Sequence, residues 1–79
     1  RALAATAAAF GGGERDGGAL EAAGHAVLAA EPAVRADYFA IVDPRSLERV
    51  RDADGASVAL VAARVGSTRL IDNRILGSP

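Results

Sequence analysis

AARVGSTRLIDN, running from Ala62 to Asn73, is the stretch on which the fold turns. Gly66-Ser67-Thr68 makes a tight connection. Before it, Ser57 to Val65 is a continuous, mostly apolar run of strand character. After it, Arg69 to Leu76 reads as a second strand hairpinned onto the first. Arg64, Arg69, Asp72 and Asn73 are polar residues set into this apolar hairpin. On a regular hairpin Arg69 and Asp72 have opposite parity and do not share a face; a bend at Gly66 or a bulge would change that. Two readings stay open. One is a turn with local salt bridges, each worth about 0–1 kcal/mol when exposed. The other is a polar cluster that specifies the fold or meets another domain.

Working outward, Val34 to Asp43 reads as a further strand. Strict alternation puts Val34, Ala36, Tyr38, Ala40 and Val42 on one face, and Arg35, Asp37, Phe39 and Ile41 on the other. Asp43-Pro44 starts a short helical turn, with proline at a position where its missing N–H is not needed, and Leu47 and Val50 as its anchors. Asp52-Ala53-Asp54-Gly55 is a turn by composition. Further upstream, Asp16 is placed to cap a helix with the apolar stripe Leu20, Ala23, Gly24, Val27 and Leu28. Glu31-Pro32 stops that helix, because proline disfavours the α conformation in the residue before it. Arg1 to Phe10 is a first helix with Leu3, Ala7 and Phe10 on one face, ended by Gly11-Gly12-Gly13. Gly77-Ser78-Pro79 is a tail. The expected fold is α+β: two N-terminal helices packed on a three-stranded antiparallel sheet, with a short helical turn between strands 1 and 2, and residues 1–79 forming one domain.

Composition narrows the function. A chain of 79 residues buries about 60–65% of its unfolded surface and gains a net stability of roughly 4–12 kcal/mol. That leaves little room for a ligand pocket of about 300–1,000 Å³. There is no cysteine, which excludes disulfides and thiolate metal sites. No apolar run approaches the ~18 residues of a membrane span and no signal-peptide pattern is present, so no membrane partner and a cytoplasmic location are expected. Net charge is −1, with nine arginines, no lysine and ten acids spread along the chain. That balance argues against a nucleic-acid partner, which would require a clustered basic excess. The chain contains no methionine and opens inside a helical pattern, so it is expected to be a piece of a longer polypeptide.

The candidate chemical groups reduce to structural ones. The glycines at 11, 12, 13, 17 and 18 lack the preceding strand and the Gly-Lys-Ser/Thr ending of a phosphate loop. His25 is the only histidine. It falls on the polar side of the second helix, with no Gly-x-Ser-x-Gly context for a nucleophile and no second imidazole or thiol for a metal. Asp52-x-Asp54-Gly55 would need acids where Val50 and Val61 stand to form a calcium loop. Asp43 reads as a cap and not as a catalytic acid. No catalytic, cofactor-binding or metal-binding residue is assigned.

The run Arg64-Val65-Gly66-Ser67-Thr68-Arg69-Leu70-Ile71-Asp72-Asn73 resembles the closing signature of the pantothenate synthetases, or pantoate–β-alanine ligases. VRADYFAIVDP (34–44) resembles the first C-terminal strand of that family, and ALEAAGHAVLAAEP (19–32) the helix before it. The spacing from Leu47 and Val50 to Val58-Ala59-Leu60-Val61 agrees too. The resemblance implies a C-terminal lid domain of helices on a three-stranded antiparallel sheet. Its partner would be an N-terminal Rossmann-type domain of the same enzyme, which binds ATP with Mg, forms pantoyl adenylate and releases AMP and diphosphate; the parent would be a homodimer. The family's nucleotide and substrate residues belong to that other domain, and its phosphate-clamping Ser-Arg-Asn loop does not occur in this sequence. The resemblance therefore implies no cofactor bound by these residues and no activity for them alone. Arg64, Gly66, Thr68, Arg69, Asp72 and Asn73 match the signature as structural positions. The reading of another class is a free-standing small α+β ligand-binding, regulatory or dimerisation module.

Overall fold

A computed structural model describes residues 1–77; Ser78 and Pro79 of the expected tail lie outside the described residues. The chain forms helices α1 (Ala2–Gly11) and α2 (Gly17–Ala29), then strands β1 (Val34–Val42), β2 (Val58–Val65) and β3 (Thr68–Ile75). The strands pair antiparallel in the order β1-β2-β3. This is the α+β arrangement expected, helices first and strands after.

Local chemistry sets the helix boundaries. At the end of α1, Gly13 takes φ +109°. Its N–H donates to the Phe10 carbonyl, and the Glu14 N–H reaches back to Ala9. These two bonds form the motif that a left-handed glycine after a helix makes possible. Arg15 reinforces the end: its guanidinium lies 3.8 Å over the Phe10 ring and donates to the Phe10 carbonyl at 2.6 Å. Helix α2 starts where expected, with the Asp16 carboxylate accepting from the Ala19 N–H at 2.8 Å.

The core joins Ala2 and Phe10 of α1, Leu20 of α2, Phe39 and Ile41 of β1, Ala59 of β2 and Leu76. The α1 face differs from the expected one. Ala2, Thr6 and Phe10 are buried, while Leu3 and Ala7 are only partly covered. Thr6 fits because its hydroxyl donates to the Leu20 carbonyl at 2.8 Å. Gly24 on α2 faces the Phe39 ring so closely that a Cβ there would lie 2.3 Å from Cζ.

Strand β1 also departs from strict alternation. Ala36 pairs with Ala63 but Tyr38 pairs with the adjacent Ala62, so Asp37 is an extra residue in a bulge. The bulge inverts parity. Upstream of it Val34 lies on the helix-covered face with Val61 and Val65; downstream, Phe39 and Ile41 take over that face. Tyr38 is turned to the open side, where it is 42% exposed. The β2–β3 register is regular, with Arg64 opposite Arg69 and Val65 opposite Thr68. The loop is therefore two residues, Gly66 and Ser67, with Gly66 at φ +61°, the pattern of a hairpin turn with glycine first.

Between β1 and β2 the expected helical turn is a single one. The Leu47 N–H donates to the Asp43 carbonyl, and the Asp43 carboxylate accepts from the Arg45 and Ser46 amides at 2.7 and 3.2 Å. Leu47 does not anchor it. The residue sits at φ +61° and is 67% exposed, because its left-handed backbone sends the chain back so that Glu48 and Arg49 run beside β1. Asp54 then caps its own turn, accepting from the Ala56 and Ser57 amides.

Candidate functional site

The polar residues of the β2–β3 hairpin divide between two faces. Leu70 and Asp72 line a cleft on the helix side. By alternation Arg69, Ile71 and Asn73 face the open side. Arg69 and Asp72 thus have the opposite parity expected of a regular hairpin. On the open side the bulged Asp37 gathers two arginines: its Oδ2 lies 3.5 Å from Nε of both Arg64 and Arg69. These exposed, long contacts shape the hairpin surface more than they stabilise it. Thr68 and Asn73 are exposed, and Asn73 donates its amide to the neighbouring Asp72 carboxylate at 2.8 Å.

The most organised polar cluster centres on Glu21, which composition and periodicity passed over. Its side chain is only 8% exposed. Its Oε2 accepts from the Ile41 amide at 3.0 Å and from Arg49 Nε at 3.0 Å, while Oε1 meets the other arm of the Arg49 guanidinium. One carboxylate therefore ties α2 to β1 and to the loop after it. Burial alone would push this carboxyl up. The Arg49 and Ile41 hydrogen bonds, with the Arg49 and His25 charges, outweigh it and hold the group below its ordinary value. The same bond, then the charge of Glu21, raises Arg49 above its own ordinary value. A carboxylate that accepts three hydrogen bonds from two other elements acts as a structural clasp.

His25 lies on the exposed side of α2, its ring centroid 5.8 Å from that of Phe39. Neither a serine nor an acid is hydrogen-bonded to it among the described residues. Nor do these hold a group of three or more His, Asp or Glu side chains placed to bind a metal. A cleft of about 420 Å³ lies where α1, α2 and the hairpin meet, lined largely by Leu3, Val27, Leu28, Val61, Val65 and Leu70. This is more space than the chain length led one to expect. It opens at the edge of the helix layer and does not hollow the core.

An α+β module of two helices on a three-stranded antiparallel sheet, with a buried carboxylate joining α2 to β1 and the loop after it, is the class of protein these features define. The chain belongs to the pantoate–β-alanine ligase family, whose model matches residues 1–75. It is similar to the pantothenate synthetase of Acidobacterium capsulatum, with 56% identity covering 98% of this chain and 26% of that protein. The pantothenate synthetase of Roseiflexus sp. is 46% identical over 96% of this chain and 27% of its own length. A crystal structure of pantothenate synthetase from Thermus thermophilus superposes with a TM-score of 0.88 at 37% identity, covering 96% of this chain and 27% of that one. The chain thus spans about a quarter of the length of these relatives and matches their C-terminal part.

Proposed function

We propose that this chain is the C-terminal lid domain of an ATP-dependent pantoate–β-alanine ligase. In the parent enzyme the pantoate carboxylate attacks the α-phosphorus of ATP, expelling diphosphate and forming pantoyl adenylate. The β-alanine amine then attacks the acyl carbon and AMP leaves. ATP with Mg, and both substrates, are held by the N-terminal domain of the same polypeptide, the parent acts as a cytoplasmic homodimer, and the present residues close over the adenylate. Closure excludes water from an acyl adenylate that would otherwise hydrolyse.

The observation that carries this reading is the match along nearly the whole chain to the C-terminal part of the pantothenate synthetases. The site geometry supports the division of labour. Glu21, the buried acid, is consumed by Ile41 and Arg49, and a domain clasped in this way suits movement as one body. The test is titration of Mg-ATP into the isolated 79-residue chain. The expected result is binding no tighter than about 1 mM, or about −4 kcal/mol. Micromolar binding, or formation of pantothenate by the isolated chain, would overturn it.

A further inference from the structure

We infer that the open face of the sheet holds a binding site for the phosphate group of a small organic phosphate ester, formed by the row Arg35, Arg64 and Arg69.

Strand register builds the row. Arg35 of β1 stands opposite Arg64 of β2, and Arg64 stands opposite Arg69 of β3. Directly opposed residues project from one face, with Cβ atoms about 4.5–5.5 Å apart. Arginines far apart in sequence thus line up over about 10 Å of sheet, on the face away from the helices. Like charges directly opposed across strands destabilise a sheet, so the row calls for an anion.

The chain supplies only part of one. The bulge turns Asp37 onto this face, where its Oδ2 lies 3.5 Å from Nε of both Arg64 and Arg69. One carboxylate against three guanidiniums leaves a local charge of +2, and Arg35 has no ion pair among the described residues. The contacts to Asp37 engage a single donor on each of two side chains, whereas every guanidinium carries five. The Arg64 and Arg69 side chains are 56% and 51% exposed, so their terminal nitrogens lie open to a ligand arriving from solvent.

Residual charge and unused donors together define the ligand. A phosphate monoester carries about −1.5 to −2 charge near pH 7, and its acceptor oxygens match the guanidinium fork. A second carboxylate would bring about half that charge. The neighbouring row sets the rest of the molecule. Tyr38 and Ile71 flank Ala62 on the same face. They are 42% and 66% exposed, while Ala62 between them is buried. A ring or short apolar chain attached to the phosphate rests on this pair. None of these contacts depends on the ligase activity proposed above.

The test uses the full-length enzyme. Its arginines are modified with phenylglyoxal in the presence of phenyl phosphate, and the rate at each arginine is read by mass spectrometry. Phenyl phosphate is expected to slow modification of Arg35, Arg64 and Arg69 at least about threefold, the factor 1 + [L]/Kd at about twice the dissociation constant. Arg45 and Arg51, exposed in the loop after β1, should keep their rates, and sodium chloride of matched ionic strength should protect none of the five. Inorganic phosphate should protect the same three only at higher concentration. Asp37→Asn should lower the phenyl phosphate required by at least about threefold, because a unit negative charge beside the bound group is gone. Equal slowing at all five arginines, no slowing in the row, or equal protection by sodium chloride overturns the site. So does phenyl phosphate no better than inorganic phosphate, or unchanged or weaker protection in Asp37→Asn.

Discussion

Gly24→Ala sets two physical effects against each other inside one helix. Alanine is the better helix former by about 1 kcal/mol, so on propensity alone the substitution stabilises α2. Packing opposes it. The new methyl would lie 2.3, 2.4 and 2.6 Å from Cζ, Cε1 and Cε2 of Phe39, against an ordinary contact of at least 3.4 Å. The ring must retreat by about 1 Å, and Phe39 is 3% exposed in a core shared with Leu20 and Ile41. Overpacking of this kind costs about 2–3 kcal/mol, which leaves a net loss of about 1–2 kcal/mol. For a domain of this size that is a fall in Tm of about 4–16 °C, measured by thermal or urea denaturation of the 79-residue chain followed by circular dichroism. Phe39→Leu supplies the control. It makes room for the methyl, so the double substitution should be less destabilising than the sum of the singles by at least about 1 kcal/mol. A neutral or stabilising Gly24→Ala, or an additive cycle, would show that the ring is not seated on Gly24.

Three further outcomes follow from named contacts. The Glu21 carboxyl is held below its ordinary 4.5, so its contribution is complete above that value and is lost as pH falls through 4.5 toward its lowered folded value; denaturation midpoints of the parent chain should drop over that window while those of Glu21→Gln stay flatter, and parallel profiles would refute the clasp. Asp16→Ala removes the bond to the Ala19 amide and should cost about 1 kcal/mol in urea denaturation, an unchanged midpoint being the contrary result. Gly66→Ala forces a side chain onto φ +61° and should cost about 1–2 kcal/mol, whereas Ser67→Ala, beside it in the loop, should be nearly silent; equal effects would contradict the turn geometry.

Signals that act over a few residues were legible in the sequence. Asp16 as a cap, the glycines after Phe10 and the stop at Glu31-Pro32 each depend on local backbone chemistry, and each stands where the residues placed it; the connection read as Gly66-Ser67-Thr68 is one residue shorter, because Thr68 pairs with Val65 and opens β3. What depends on distant partners was not. The bulge at Asp37 reflects the register with Ala62 and Ala63, which strand alternation cannot foresee. Glu21 sits beside Leu20 on α2, and only the approach of Ile41 and Arg49 makes an acid there a core residue. A faint signal existed, since Glu21 lies three residues before Gly24, on the face that packs against β1. Leu47 was assigned by hydrophobicity alone, and its left-handed backbone overrides that assignment. The signature run fared differently again. Its residues identify the family, yet they divide between the cleft and the open face and form no single site.

In the proposed function these residues contribute closure, not chemistry, to a ligase. Its most direct measurement compares pantothenate and AMP formed from ATP, pantoate and β-alanine by the full-length enzyme, by the enzyme lacking residues 1–79, and by residues 1–79 alone. The full-length enzyme is expected to form the two products in equal amounts and the isolated domain neither. The truncated enzyme is expected to lose most pantothenate formation, with any residual turnover releasing more AMP than pantothenate as unshielded adenylate hydrolyses. Full coupled activity without residues 1–79, or turnover by them alone, would contradict it.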